Sequence, residues 1–315
     1  MLIDTTILPT LDDIPARAAA AEAFGVSGVW IAETSHDPFV MLALAAGTTE
    51  RVTLGTNIAV ALARSPMTVA IAANDVQALS GGRHILGLGS QVKGHITRRF
   101  SMPWSAPAAR MREYVLALRA IWSCWNDGTP LSFEGEFYTH TLMTPVFSPG
   151  PNPHGAPPVY LAAVGERMTA VAAEVADGLL CHPLSTERYL REVTVPALRR
   201  VRPSLDGFAV CGMPIVATGR DDVEMAGSLA AARMQVAFYV STPAYRPILD
   251  LHGWGELHDE LHPLSREGRW AEMAERVDDE VLETIAVVAE PDQVESAVRA
   301  RFDGLLTRCA VPLAG

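Results

Sequence analysis

Buried apolar runs alternate with helix-like segments along the chain, most clearly between Val52 and Ser90. The run Val52–Leu62 is too apolar for a half-exposed strand, so both of its faces must be covered. Apolar residues then recur at helical spacing from Thr68 to Leu79, and Gly81 and Gly82 end the helix. A second apolar strand, Ile85–Ser90, follows. This pattern predicts a parallel βαβ unit.

The same alternation extends over the whole chain and predicts a (β/α)8 TIM barrel of the α/β class. An open doubly wound sheet is the alternative, but MLIDTTIL contains no glycine, and GLGSQV lacks the third glycine of a dinucleotide fingerprint. We expect a single domain over residues 1–315, with an insertion at about 127–156 after strand 4 and a lid-like helical segment at about 239–290 after strand 7. The eight predicted strands are Met1–Leu8, Ser27–Ala32, Val52–Leu62, Ile85–Ser90, Pro157–Ala163, Gly178–Cys181, Phe208–Ala217 and Leu305–Val311.

Composition narrows the classes of function. The net charge of −11 argues against nucleic-acid binding, which needs a basic face. The first residues lack a signal-peptide pattern, and no apolar run reaches the roughly 18 residues of a membrane span, so we expect a soluble, cytoplasmic chain without a membrane partner. The four cysteines lack metal-site spacing, which favours buried apolar roles, and we expect no metal site.

The candidate site residues lie where the predicted strands end, because barrel active sites form at the carboxyl ends of the strands. Asp4 in strand 1 is a polar interruption that could face a pocket. After strand 2, His36 could transfer protons near neutral pH, or it could cap the next helix. Glu33 lies at the same strand end and is also a candidate site residue. Alternatively, it could form an ion pair with an arginine of a neighbouring strand. Arg64 could bind a ligand or form a structural ion pair.

Two loops could bind anions. Gly165-Glu166-Arg167 precedes a helix, whose free N–H groups and arginine would suit an anion, although a plain strand–helix turn is the alternative. The loop after strand 4 carries Lys93, His95, Arg98 and Arg99. In a chain of net charge −11, this cluster of basic residues suggests a site for an anionic ligand. A solvated surface loop is the alternative. His182 after strand 6 is a weaker candidate.

Several ordered segments resemble the bacterial luciferase-like superfamily of flavin and deazaflavin oxidoreductases. They are GVSGVWIAETSHDP, RVTLGTNIAVALARSP, LSGGRHILGLGS, MREYVLALRAIW and PPVYLAAVGERMTAVAAEVADGLL. The resemblance covers most of the chain and is strongest to the branch that uses coenzyme F420 (8-hydroxy-5-deazaflavin). That branch has a histidine after strand 2, commonly preceded by an aspartate. Here Ser35 precedes His36, so the histidine matches the pattern of the branch, whereas the residue before it differs from that pattern.

The resemblance implies specific site residues. His36 is expected beside the deazaflavin ring, near the centre of hydride transfer, with Glu33 tuning it. A non-prolyl cis peptide is expected at Asn57–Ile58, in a bulge behind the ring. Lys93, with Arg98 and Arg99, could meet the acidic tail of the cofactor. The residues expected at the cofactor are Ser35, Asn57, Ile58, Ala59, Gly89, Ser90, Gln91, Lys93, Ala162, Ala163, Val164, Gly165, Glu166 and Arg167.

The resemblance therefore implies an F420-dependent oxidoreductase that transfers a hydride between C5 of the deazaflavin and an unidentified small organic substrate. An FMN-dependent two-component monooxygenase of the same superfamily is the alternative. A barrel that binds a flavin without turnover is a further one. The family commonly dimerises through its early helices, so we expect a homodimer.

Overall fold

A closed barrel of eight parallel strands forms the centre of the computed structural model, which describes residues 1–8 and 10–313. Each strand pairs in parallel with both neighbours, and pairing of β3 with β4 closes the ring. The TIM barrel predicted from the alternation is confirmed. The strands are β1 (Leu2–Ile7), β2 (Gly28–Ile31), β3 (Thr53–Thr56), β4 (His84–Gly89), β5 (Val159–Ala163), β6 (Gly178–Cys181), β7 (Ala209–Gly212) and β8 (Arg308–Ala310).

Helices cover the outside of the barrel, and several begin where the sequence predicts. Pro38, Pro66 and Pro107 occupy first turns, where a missing N–H costs nothing. The helices are α1 (Ile14–Phe24), α2 (Pro38–Ala46), α3 (Pro66–Leu79), α4 (Pro107–Asp127), α5 (Glu166–Val175), α6 (Glu187–Tyr189), α7 (Val195–Val201), α8 (Asp222–Val240), α9 (Arg246–His252), α10 (Gly255–Glu267), α11 (Trp270–Glu275), α12 (Asp279–Ile285) and α13 (Val294–Phe302). No described helix has the length and apolar character needed to cross a bilayer.

Two predicted strands are too long. The run Val52–Leu62 is not one strand, because β3 ends at Thr56 and only the short strand Ala59–Val60 follows, continuing the pairing with β4. The predicted strand Phe208–Ala217 also breaks after Gly212. Pro214 has no N–H to donate to a ladder, and Val216–Ala217 leaves the barrel to pair with Val287–Val288.

The connections after β4 and β7 are the longest in the structure. Between β4 and β5, α4 is followed by a small antiparallel pair, Phe133–Glu134 with Thr139–His140. Between β7 and β8, helices α8 to α12 enclose an apolar cluster of their own. The segment 239–290 is mostly helical, as predicted, and its role as a lid stays a prediction.

The barrel interior is filled by large side chains from alternating strand positions. Trp30, Tyr160 and Leu180 form the middle of this core, and Gly55 leaves the space that the Trp30 ring occupies. Below them, Asp4 is fully buried and accepts two hydrogen bonds from Arg308, at 2.8 and 2.9 Å. The expectation that Asp4 faces a pocket is therefore wrong, since its carboxylate is buried and forms an ion pair with Arg308 inside the barrel.

The described residues contain no cluster of histidines, cysteines or carboxylates that could hold a metal ion. The four cysteines are free thiols. Cys181, Cys211 and Cys309 are buried, as their scattered spacing predicts, and Cys124 is half-buried.

Candidate active site at the carboxyl end of the barrel

The floor of the barrel mouth is mostly apolar. Ile58, Ala162 and Met213 are partly buried and pack on the top of the interior core. Thr6 donates a hydrogen bond to the Met213 sulfur at 3.1 Å, and the Asn57 amide lies 3.9 Å from the same sulfur. The ends of β1, β3, β5 and β7 thus meet in one surface that could support a flat organic ring.

The bulge after β3 contains a cis peptide bond between Asn57 and Ile58, as the resemblance implies. Its backbone is held from both sides: Asn57 N–H donates to Ile31 O at 2.9 Å, and Glu33 N–H donates to Ile58 O at 3.1 Å. A Cβ on Gly89 would lie 2.8 Å from Ile58 Cδ1, so the Ile58 side chain rests in the space that this glycine leaves. Ala59, the next residue, is fully buried.

Glu33, Arg64 and Asp37 form one ion-pair network beside the bulge. The buried Glu33 carboxylate accepts from Arg64 Nη1 at 2.5 Å and from Val60 N–H at 2.7 Å. Arg64 Nη2 donates to Asp37 at 2.8 Å. Burial lowers the pKa of the Arg64 guanidinium, but its bonds to the two carboxylates outweigh that effect, and the pKa is raised. Of the alternatives left open for Glu33 and Arg64, the structure shows the ion pair.

His36 lies one residue before this network's outer carboxylate, in the loop between β2 and α2. Its imidazole is half-buried and has no hydrogen-bond partner among the described residues, whereas Ser35 is exposed. The alternative role of His36 as a helix cap is excluded, because Asp37 caps α2 by accepting from Phe39 N–H at 2.9 Å and from Val40 N–H at 3.4 Å. The His36 side chain therefore makes no capping contact, and it forms no hydrogen bond within the described residues.

The loop after β4 continues from Gly89 and turns back on itself. Ser90 is half-buried, and Gln91 has a positive φ of 58°, with its side-chain oxygen accepting from Val92 N–H at 2.9 Å. Lys93 is exposed. Along the following π-helical turn, Arg99 donates to Thr34 O in the loop that holds His36. This contact joins the loops after β2 and β4 across the rim.

Lys93 and Arg98 have no carboxylate within 4 Å in residues 1–8 and 10–313, so both charges are available to an anion. The anionic-ligand interpretation of this loop stays a prediction.

The loop after β5 leads into the open amino end of α5. Ala162 is half-buried and Ala163 is buried, and Tyr189 OH donates to Val164 O at 3.1 Å. Gly165 is the N-cap residue of α5, so no side chain accepts hydrogen bonds from the first-turn N–H groups at this position. The Glu166 carboxylate pairs with Arg200 at 3.0 Å on the exposed face, and Arg167 is exposed. The first-turn N–H groups of α5 are thus left for an anion.

An aromatic wall forms one part of the rim, around the weaker candidate His182. His182 directly follows β6 at the inward-facing position after Leu180, and Tyr245 stacks on its ring at 4.0 Å, while Tyr239 meets its edge at 4.6 Å. The Nδ1 atom of His182 accepts from Leu184 N–H at 3.2 Å. Burial lowers the pKa of His182 to about 3, so the ring is neutral and carries its proton on Nε2.

Burial also raises the pKa of Tyr245 to about 12, an effect that the neighbouring Tyr239 strengthens. Both tyrosines come from the segment after β7, so this aromatic wall depends on a long-range contact that no local pattern reveals. The available signal was the position of His182 at a strand end together with the aromatic residues near 238–254.

Comparisons with known proteins identify relatives over most of the chain. The uncharacterized protein Rv1360 of Mycobacterium tuberculosis is 56% identical over 295 residues, covering 92% of this chain and 87% of that protein. The 5,10-methylenetetrahydromethanopterin reductase of Archaeoglobus fulgidus is 28% identical over 286 residues, covering 87% and 81%.

Solved structures share the fold. The coenzyme F420-dependent tetrahydromethanopterin reductase of Methanopyrus kandleri superposes with a TM-score of 0.80 at 23% identity, covering 98% of this chain and 92% of that chain. The oxygenating constituent of 3,6-diketocamphane monooxygenase from Pseudomonas putida, a type II Baeyer–Villiger monooxygenase in complex with FMN, gives 0.68 at 15% identity, covering 99% and 92%.

The family model described as luciferase-like monooxygenase matches residues 3–308, nearly the whole length of the chain. The relatives in this group are named as oxidoreductases, reductases or monooxygenases, so the chain is expected to be an enzyme. The chain belongs to the luciferase-like monooxygenase family.

Proposed function

We propose that this protein is an F420-dependent oxidoreductase that transfers a hydride between C5 of the deazaflavin and a small organic substrate. The observation that carries the proposal is the packing of the Ile58 side chain against Gly89 at the mouth of the barrel. With Ala162 and Met213, it offers an apolar floor for a flat ring. The Methanopyrus kandleri reductase, which shares this fold and is named as coenzyme F420-dependent, supports F420 as the cofactor.

The residues at the rim fit the rest of such a cofactor. A Cβ on Gly165 would meet no atom within 4 Å, so the backbone at the start of α5 is open to a bulky anionic group. The free N–H groups of the first turn would hold a phosphate, and the amino end of the helix dipole favours its charge. Lys93 and Arg98 would hold further carboxylates, where the cofactor carries an acidic tail.

When bound, the deazaflavin supplies or accepts a hydride at C5. His36 would hold or move the proton at the substrate oxygen, since its imidazole is half-buried and unpaired within the described chain. Glu33 and Arg64 would position the loop that carries His36, because their ion pair ties that loop to the segment after the bulge. The apolar floor and the aromatic wall of His182 and Tyr245 would exclude water from the reacting atoms.

Replacing His36 tests its role. We expect His36→Ala to lower turnover at least tenfold while leaving the affinity for F420 within a factor of two, since general acid–base catalysis contributes about 10²–10⁴-fold. His154→Ala is the matched control, because His154 lies beside Gly82, which precedes β4 and so lies at the opposite end of the barrel. Unchanged turnover in His36→Ala would remove this histidine from the mechanism.

An FMN-dependent monooxygenase is the second candidate, supported by the fold that this chain shares with an FMN-bound monooxygenase. The two functions differ in their use of oxygen: F420-dependent turnover should proceed without it, whereas the monooxygenase needs it. Turnover of substrate by the FMN-loaded protein only when oxygen is present would favour the second candidate.

We also propose a homodimer, formed through the early helices. The apolar side chains of Val40 and Leu44 are exposed one turn apart on α2, and Ile71 is exposed on α3. Exposed apolar groups at helical spacing are typical of a contact surface.

A further inference from the structure

An apolar groove lies between α8 and α11, outside the barrel mouth. Its volume is about 430 Å³, and Met234 and Phe238 on α8 face Trp270 and the fully buried Met273 on α11 across it. Met234, Phe238 and Trp270 each expose between 44% and 50% of their surface. Volumes of roughly 300–1,000 Å³ are typical of small-molecule sites. Large apolar groups gathered in one half-open groove indicate a contact with an apolar partner.

The polar residue of the groove contacts a tyrosine that reaches the barrel mouth. Gln235 is its polar lining residue, and its amide donates to Tyr239 OH at 3.3 Å. Tyr239 contacts the edge of His182 at the mouth, with ring centroids 4.6 Å apart. The ring centroid of Phe238 lies 5.6 Å from that of Tyr239 and 6.0 Å from that of Trp270. A continuous row of rings therefore joins the candidate active site to the groove.

We propose that the groove binds the alkyl chain of an amphipathic substrate whose polar, reacting end lies at the barrel mouth. The proposal rests on the proposed function for the reacting end, and on the groove itself for the chain. The lining carries no charged side chain, so it would not repay the desolvation of an ionic group. An apolar groove beside a row of rings that leads to the mouth fits a molecule with one polar head and one hydrocarbon tail.

The cofactor-free full-length protein can test chain binding directly. Bromoalkan-1-ols of six to twelve carbons are titrated while tryptophan fluorescence is followed, because bromine quenches a ring that it contacts and Trp270 lines the groove. We expect the affinity to increase about fourfold per added methylene, which corresponds to ~0.8 kcal/mol, until the groove is full. Trp270→Phe should remove most of the quenching.

A matched pair of substitutions separates the groove from general helix effects. Ala231 lines the groove and Ala230 does not, and both are exposed residues of α8. We expect Ala231→Leu to weaken binding of the ten-carbon probe at least tenfold by filling the groove, and Ala230→Leu to change it less than twofold. Equal effects of the two variants, or affinity independent of chain length, would overturn the proposal.

Sedimentation of the same variants tests the competing occupant. If the groove is a contact between two copies of this chain, Ala231→Leu should shift a dimer towards monomer, and that result would also overturn the proposal. Because the titration needs no cofactor, its outcome is independent of the proposed function. Chain binding without F420 binding would refute the function alone, and F420 binding without chain binding would refute the groove alone.

Discussion

The Glu33–Arg64 ion pair should hold the loop that carries His36 in place, and removing its carboxylate should destabilise the protein measurably. Only 5% of the Glu33 side chain and 17% of the Arg64 side chain are exposed, so water replaces the lost partner poorly. Glu33→Ala leaves Arg64 with Asp37 as its remaining carboxylate, and it also leaves the N–H of buried Val60 without its acceptor. Glu33→Gln removes the charge but can still accept from Val60.

The magnitude follows from this burial. Removing one partner of a buried pair costs about 3–5 kcal/mol. Arg64 keeps Asp37 and some contact with water, so we expect about 3 kcal/mol for Glu33→Ala and about 1–2 kcal/mol for Glu33→Gln. An unfolding entropy of ~2.1 cal/mol/K per residue gives about 0.7 kcal/mol per kelvin for 315 residues. Glu33→Ala should therefore lower Tm by about 4 °C.

Thermal and urea unfolding of Glu33→Ala, Glu33→Gln, Arg64→Met and the double variant Glu33→Gln/Arg64→Met would measure these losses, with exposed Glu290→Gln as the control. The double variant should lose less than the sum of its single changes, because Arg64→Met removes the charge that Glu33→Gln leaves unpaired. Losses below about 0.5 kcal/mol in both Glu33 variants would refute a structural role for the pair, and strict additivity would refute the coupling.

Three other expectations follow from the packing and the surface. Gly55→Ala would place a Cβ 2.2 Å from Cε3 of the buried Trp30 ring, so urea unfolding should show a loss of about 1–3 kcal/mol, whereas Gly227→Ala in α8, whose Cβ meets nothing within 4 Å, should gain up to about 1 kcal/mol. Burial lowers the pKa of His182 to about 3, below ~6.5 in the unfolded chain, so the unfolded state binds the extra proton and stability falls as pH drops from 6.5 towards 3. His182→Phe, which can keep the stack on Tyr245, should remove about 1–2 kcal/mol of the loss between pH 7 and pH 5, and an unchanged loss would contradict the neutral ring. Leu44→Glu should convert a dimer to a monomer in analytical ultracentrifugation, and a dimer that persists would place the interface elsewhere.

The sequence predicts the barrel well because strands buried on both faces leave a strong local signal. Runs such as Ile85–Gly89 and Gly178–Cys181 are apolar throughout, and α2 and α3 begin at prolines and end near glycine or serine. The two failures at strand ends have one cause: apolar composition continues beyond the residue where the regular barrel strand ends. Neither the bend after Thr56 nor the departure of Val216–Ala217 from the barrel changes the hydropathy of the run.

The candidate site is only partly readable from the sequence, because its key contacts join residues that are distant along the chain. Strand ends nominated Glu33, His36 and Arg64 individually, but only the structure shows that Arg64 bridges Glu33 and Asp37 and leaves His36 without a partner in the described chain. The fully buried Asp4 shows the same limit, since its partner Arg308 lies at the other end of the sequence. The stack of Tyr245 on His182 joins a strand end to a distant helical segment.

Titration of the purified protein with F420 and with FMN, followed by absorbance and by fluorescence quenching, tests the central claim most directly. We predict saturable binding of F420 at the barrel mouth, weakened by Gly89→Val, because that side chain would displace Ile58 from the floor. Saturable binding of FMN without binding of F420 would contradict the account.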